Sequence, residues 1–200
     1  MTERQISPGW IAAPVAAEFP ELRVASLEAR CVDPQSDPGV AERLGLLASR
    51  FNGRQAIEMR QAAVTAAYRA FYRQIGINPE EQRTPAERAA LDRLLSGGNQ
   101  PQGRVADALL LALLETGVPV YCFDPALVDG PVGIDLTKSG TLVLADDVQE
   151  LGELFSEADN RFHASPKQRD LLLVAVGAPG VPRITIDESL WLAESALTGN

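Results

Sequence analysis

At 200 residues, with 46% hydrophobic and 22% charged side chains, the chain has the composition of one globular domain with a sizeable core, which excludes extensive disorder and makes a second domain unexpected. Its net charge of −9 excludes a protein that grips nucleic acid over its whole surface, because phosphate neutralisation needs clustered Lys and Arg. Cys31 and Cys122 lie far apart among apolar neighbours and provide no disulfide framework, so free thiols in a reducing compartment are expected. Pro8 and Pro14 interrupt the stretch where a signal peptide needs an unbroken apolar run. The most apolar segment, residues 105–114, contains Asp107 and is too short to span a bilayer. A cytoplasmic location follows as an expectation.

In chain order, residues 1–7 read as loose and 10–17 as apolar but broken by Pro14. Residues 22–31 alternate as a strand, and 33–38, with two prolines and two aspartates, read as a loop. Residues 39–51 have helical character weakened by Gly45, and a further helix after Arg54 leads into the stretch 68–124. There, Ala67, Tyr68, Phe71 and Ile75 recur at helical spacing and Gly76 stops the run. Thr84-Pro85-Ala86-Glu87 is a capping box with proline at the first helical position, which starts a helix running to Gly97-Gly98. Residues 105–116 form an almost wholly apolar helix ended by Gly117, and 118–123 a short strand.

Further on, turns at 129–131 and 139–140 bound strands at 132–136 and 141–145, with hairpin spacing. The acid-rich residues 146–157 read as a solvated loop with a strand at Leu154-Phe155. The continuous apolar run 171–176 predicts a buried strand. A turn at 178–180, a short strand at 183–186 and a final helix capped by Asp187 complete the chain. The fold class predicted is a single α+β domain over residues 1–200, with mixed or antiparallel sheets packed against helices.

Asp107 is the most informative single residue. A carboxylate in so apolar a helix must be solvated, paired or hydrogen-bonded. It is either a structural acid that caps the helix or pairs with Arg104, or a polar group at the floor of a pocket. His163, the only histidine, sits in a polar context as a surface residue or a general base, and no metal-ligand spacing surrounds it. Cys122 lies between Tyr121 and Phe123, where core packing outweighs a nucleophilic role. Arginine is concentrated in one stretch: residues 60–104 hold seven Arg (60, 69, 73, 83, 88, 93 and 104) against four acids (80, 81, 87 and 92), a net of +3, so the remainder carries −12. Arg69, Arg73, Arg83, Arg88 and Arg93 are therefore the candidate RNA contacts. Tyr68, Phe71 and Tyr72 either stack on bases or form a core stripe.

The ordered set Tyr68-Arg69, Gly76-Ile77, Pro79, Arg83-Thr84-Pro85-Ala86-Glu87, Val105 with Asp107, and Pro119-Val120 with Phe123-Asp124 resembles the B3/B4 domain. That domain of the phenylalanyl-tRNA synthetase beta subunit edits mischarged tRNA and also occurs as free-standing proteins of about this length. The resemblance is best over residues 68–147. It implies a pocket that holds an aminoacyl ester for hydrolysis by water, without a covalent nucleophile, a cofactor or a metal. It implies tRNA or aminoacyl-tRNA as partner, with neither membrane nor DNA expected.

In the family motif a Thr falls at Leu109, an Asn at Leu110 and a His at Tyr121, while a pocket carboxylate falls near Leu173. Asp107 alone of the polar set is retained, which leaves Asp107 and Tyr121 as catalytic candidates. Arg104, Asp107, Leu109, Leu110, Tyr121 and Leu173 are the candidate ligand contacts. Loss of the groups that pair a substrate hydroxyl removes discrimination by orders of magnitude, so the implied ligand is more apolar than tyrosine. The alternative is a non-catalytic small-molecule-binding or protein-interaction module on the same fold.

Overall fold

The computed structural model describes residues 5–50, 53–96, 101–156, 162, 164 and 168–199. The first half of the chain runs β1 (Ser7–Pro8), α1 (Ala13–Glu18), β2 (Arg23–Arg30), α2 (Pro38–Arg50), α3 (Gly53–Gln61), α4 (Ala63–Gln74) and α5 (Pro85–Ser96). The second half runs α6 (Arg104–Thr116), β3 (Val120–Phe123), β4 (Gly133–Leu136), β5 (Leu142–Ala145), β6 (Glu150–Glu153), β7 (Asp170–Gly177) and α7 (Arg183–Thr198). The fold is α+β, with two antiparallel sheets ordered β1-β2-β7-β3 and β4-β5-β6.

The continuous apolar run of β7 makes it a central strand. Leu173 and Val174 are fully buried between β2 and β3, in register with Leu27 and Cys122 for the first and Ser26 and Tyr121 for the second. Helix α7 lies on β2 and β7 and also packs along α6. A Cβ on Gly177 would stand 2.1 Å from Ile186 Cδ1, so glycine is what lets α7 approach the sheet this closely. On α4, Tyr68, Phe71 and Tyr72 are buried, and the Tyr68 hydroxyl donates to the Val176 carbonyl at 2.5 Å. All three rings gather around Phe155, with centroids 5.7, 5.9 and 5.1 Å away. The aromatics are therefore a core stripe, and their faces are not open to bases.

A short N-terminal crossing joins the two sheets. Ile11 and Ile134 form a parallel bridge, Ala12 N–H donates to Ile134 and Ile134 N–H to Trp10, and the Trp10 indole donates to Pro131. Gly133 makes room for this: its Cβ would meet the Trp10 ring at 2.2 Å.

Several expectations need correction. Residues 183–186 open α7 and do not form a strand; the β-branched Ile184-Thr185-Ile186 run is overridden because Ile186 must face Gly177 from a helix. The strand expected at Leu154-Phe155 lies just before it, at Glu150–Glu153, paired with β5. Phe155 instead takes φ +63°, the only positive φ among the described non-glycine residues, and turns its ring into the aromatic cluster. The acidic stretch is not simply solvated. Asp146 is 5% exposed, and its carboxylate accepts from the amides of Asp129, Val148 and Gln149. Burial pushes this carboxyl up, but the three amides outweigh it and hold it below its ordinary range. The Gly97-Gly98 breaker and His163 lie outside the described residues, and so does the side chain of Arg93.

Candidate functional site

The site begins with the start of α5. The Thr84 N–H and hydroxyl both donate to Glu87 Oε2, at 3.2 and 2.9 Å, so Glu87 reaches back as the capping box requires. Its other oxygen takes Arg69 Nη1 at 2.7 Å and lies 3.3 Å from Arg60 Nε. Glu80, in the α4–α5 connection, binds both Arg69 and Arg60. Removal from water pushes the Glu80 carboxyl up, but the two guanidinium groups outweigh this and hold it below its usual range. Arg69 is 7% exposed. It is committed to this network and is corrected from an RNA contact to a structural ion. Arg73, Arg83 and Arg88 are exposed around the same connection, and Arg83 and Arg88 form no ion pair among the described residues.

Helix α6 supplies one wall. It is N-capped by Gly103 at φ +106° and ended by Gly117 at φ +76°. The Arg104 guanidinium is committed to partners within the fold. It meets Asp37 at 3.3 Å and donates to the carbonyls of Gln35 and Ala196, which ties the 34–37 loop to the end of α7. Asp107 is 1% exposed; Oδ1 accepts the Gln102 N–H at 3.1 Å, while Oδ2 has no hydrogen-bond partner among the described residues. Of the two sequence readings, the structural one describes Asp107: it fixes the turn that precedes the helix.

Between the start of α6 and β3 lies a cavity of about 370 Å³, lined among others by Gln102, Arg104, Val105, Leu109, Val120 and Tyr121. A second cavity, of about 250 Å³, opens between α5, α6 and β3 and is lined by Pro85, Arg88, Leu109, Leu110, Leu113 and Tyr121 among others. Leu109, Val120, Tyr121 and Ser156 border both, so the two form one groove with Tyr121 at its centre. The Tyr121 ring stacks beside Phe123 and its oxygen accepts the Phe155 N–H at 3.0 Å. Burial pushes the phenol up to about 12, against the opposing pull of the Phe155 amide and Arg88, so it stays protonated at neutral pH. Cys122 is likewise pushed up to about 12, chiefly by burial, so the thiol is inert as a nucleophile.

The structure therefore brings Arg104, Leu109, Leu110 and Tyr121 to one groove. Asp107 is not in its lining and supports it through Gln102. Leu173 is fully buried in β7 and is corrected from a ligand contact to a core residue: its side chain shares a sheet face with its register partner Cys122 but reaches neither cavity. Residues that the sequence reading missed are Val105, Val120, Phe155 and Ser156; the strand at Val120 carried a signal, whereas Phe155 and Ser156 arrive by a long-range approach that no local pattern encodes. No helix among the described residues is long and apolar enough to cross a membrane. The chain matches no protein-family model and no curated protein sequence.

Proposed function

We propose that the chain is a cytoplasmic B3/B4-like binding protein whose groove takes an aminoacyl-type ligand or the charged end of a tRNA. The observation that supports this is the concavity between the start of α6 and β3, centred on Tyr121, where the resemblance puts the family pocket. Leu109 and Leu110 give it apolar walls suited to an acyl group without a hydroxyl. The exposed Arg88 at the groove wall, with the exposed Arg73 and Arg83 around the α4–α5 connection, supplies phosphate contacts in a chain that is otherwise strongly acidic.

Binding is favoured over hydrolysis by the position of Asp107. Its carboxylate is buried behind the wall, and the groove lining contains no other acid or histidine among the described residues. Water activation would fall to the Tyr121 hydroxyl and backbone amides, and losing one oriented donor costs on the order of a hundredfold in rate. Deacylation assays over a panel of mischarged tRNAs test this. The expected result is activity on tyrosyl-tRNA(Phe) at or near the uncatalysed rate; brisk hydrolysis would overturn the non-catalytic reading.

A further inference from the structure

We propose that the cavity between α3, the α4–α5 connection and α5 is a binding site for the carboxylate of a compact apolar acid, with Arg83 and Arg60 as its donors. This goes beyond the aminoacyl and RNA reading and does not rest on it. The cavity has about 210 Å³ and shares no lining residue with the groove at Tyr121. Its hydrocarbon comes from Ile57 and Met59 of α3, Pro79 of the connection, and Ala90 and Leu91 of α5. Ile57 is 60% exposed, so this apolar wall is open to a ligand from solvent.

The charged groups of the lining are Arg60, Arg69, Arg83, Glu80 and Glu87, three guanidinium groups against two carboxylates, a net of +1. Arg73, 4.0 Å from Glu80, and Glu81 add one charge of each sign and leave that balance unchanged. Positions 50–53, 56 and 93–100, whose side chains lie outside the described set, contain no acid. Both carboxylates of the lining are already taken. Glu87 gives one oxygen to Thr84 and the other to Arg69 and Arg60. Both oxygens of Glu80 accept from Arg60, and one also accepts from Arg69. The guanidinium groups are not exhausted. Arg60 spends Nη2 and Nε on these acids and keeps Nη1, and Arg83 makes no hydrogen bond or ion pair among the described residues. The cavity therefore has N–H donors to spare while its acceptors are spent. A cationic ligand would have to displace an arginine, whereas an anion completes the set. One carboxylate balances the +1, and the guanidinium fork matches its two oxygens. Hydrocarbon beside the cations selects an acid with an apolar stem over an inorganic anion. The volume lies below the usual range of ligand pockets, roughly 300–1,000 Å³, which selects a compact one.

The test is calorimetric and NMR titration of the full chain with 4-methylpentanoate, its uncharged isostere 4-methylpentanamide and inorganic phosphate. The acid should bind about 10-fold more tightly than the amide, the low end for hydrogen bonds to a charged group because Arg83 is exposed. The shifts should centre on the amides of Arg60, Arg83 and Leu91. Arg83→Gln, which breaks no contact among the described residues, should leave the Tm unchanged and amide binding intact while removing most of the preference. Ile57→Ala should weaken acid and amide alike. Equal binding of acid and amide, a preference that survives Arg83→Gln, or indifference to Ile57→Ala would overturn the proposal. So would phosphate binding as tightly as the acid, or no binding of the acid at millimolar concentration. Arg83 is common to this site and the RNA reading, but no arm contains RNA and the groove residues Leu109 and Tyr121 are untouched. Failure here therefore leaves that reading standing, and failure of RNA to bind leaves this one standing.

Discussion

Glu87 does three things at once: it caps α5, neutralises the buried Arg69 and meets Arg60. Glu87→Gln keeps the cap acceptor and leaves Arg69 and Arg60 paired with Glu80, but removes the one buried carboxylate that Arg69 meets; it should lower stability by about 1–3 kcal/mol in urea unfolding. Asp107 should behave differently. Among the described residues its one hydrogen bond uses Oδ1, which Asn can reproduce, and Oδ2 is unpartnered. Asp107→Asn should leave stability nearly unchanged, whereas Asp107→Ala should cost about 1–3 kcal/mol because the Gln102 amide loses its acceptor. A large loss of groove binding in Asp107→Asn with stability intact would show that the carboxylate touches ligand after all. Asp146 sets a pH dependence. Its carboxyl is held below the ordinary value by three amides, so its contribution is complete above about pH 4 and is lost as pH falls through and below that value. Asp146→Asn should flatten the acid limb of a stability–pH curve, and an unchanged limb would contradict the assignment.

At the scale of elements, the groove exists because three segments distant in sequence converge: α6, β3 and the chain after β6. The first two were legible. The capping box, the glycine stop at 117 and the β-rich run after it are local signals, and each element stands where they put it. The third was not, since Phe155 and Ser156 follow a strand hidden in an acidic stretch, and Phe155 adopts a left-handed conformation that its residue type does not announce. The start of α7 was misread for the complementary reason: β-branched residues favour a strand locally, but packing over Gly177 decides for a helix. The burial of Arg69 was equally unreadable, because its partners Glu80 and Glu87 are brought in by a turn and are not at helical spacing. The joint between the two sheets is the element-scale prediction. Gly133→Ala would drive a methyl into the Trp10 ring and backbone, and overpacking of this kind costs about 1–3 kcal/mol, read as a fall in Tm. A neutral Gly133→Ala would mean that the crossing at Trp10 is not as close as described.

For the whole molecule, a net charge of −9 and a local excess of arginine around the α4–α5 connection make opposite demands on any RNA partner. Binding must then be local, oriented and dependent on salt, because each neutralised phosphate releases counterions. With Arg69 and Arg104 committed inside the fold, the usable candidates among the described side chains are Arg73, Arg83 and Arg88, and charge reversal at Arg73 and Arg83 should weaken RNA without disturbing the groove. The measurement that tests the account most directly is an NMR titration of the labelled protein with a tRNA acceptor-stem RNA at two ionic strengths. The account predicts shifts concentrated at the amides of Val105, Leu109, Tyr121 and Ser156, with an affinity that falls steeply as salt rises. Shifts elsewhere, or an affinity indifferent to salt, would contradict it.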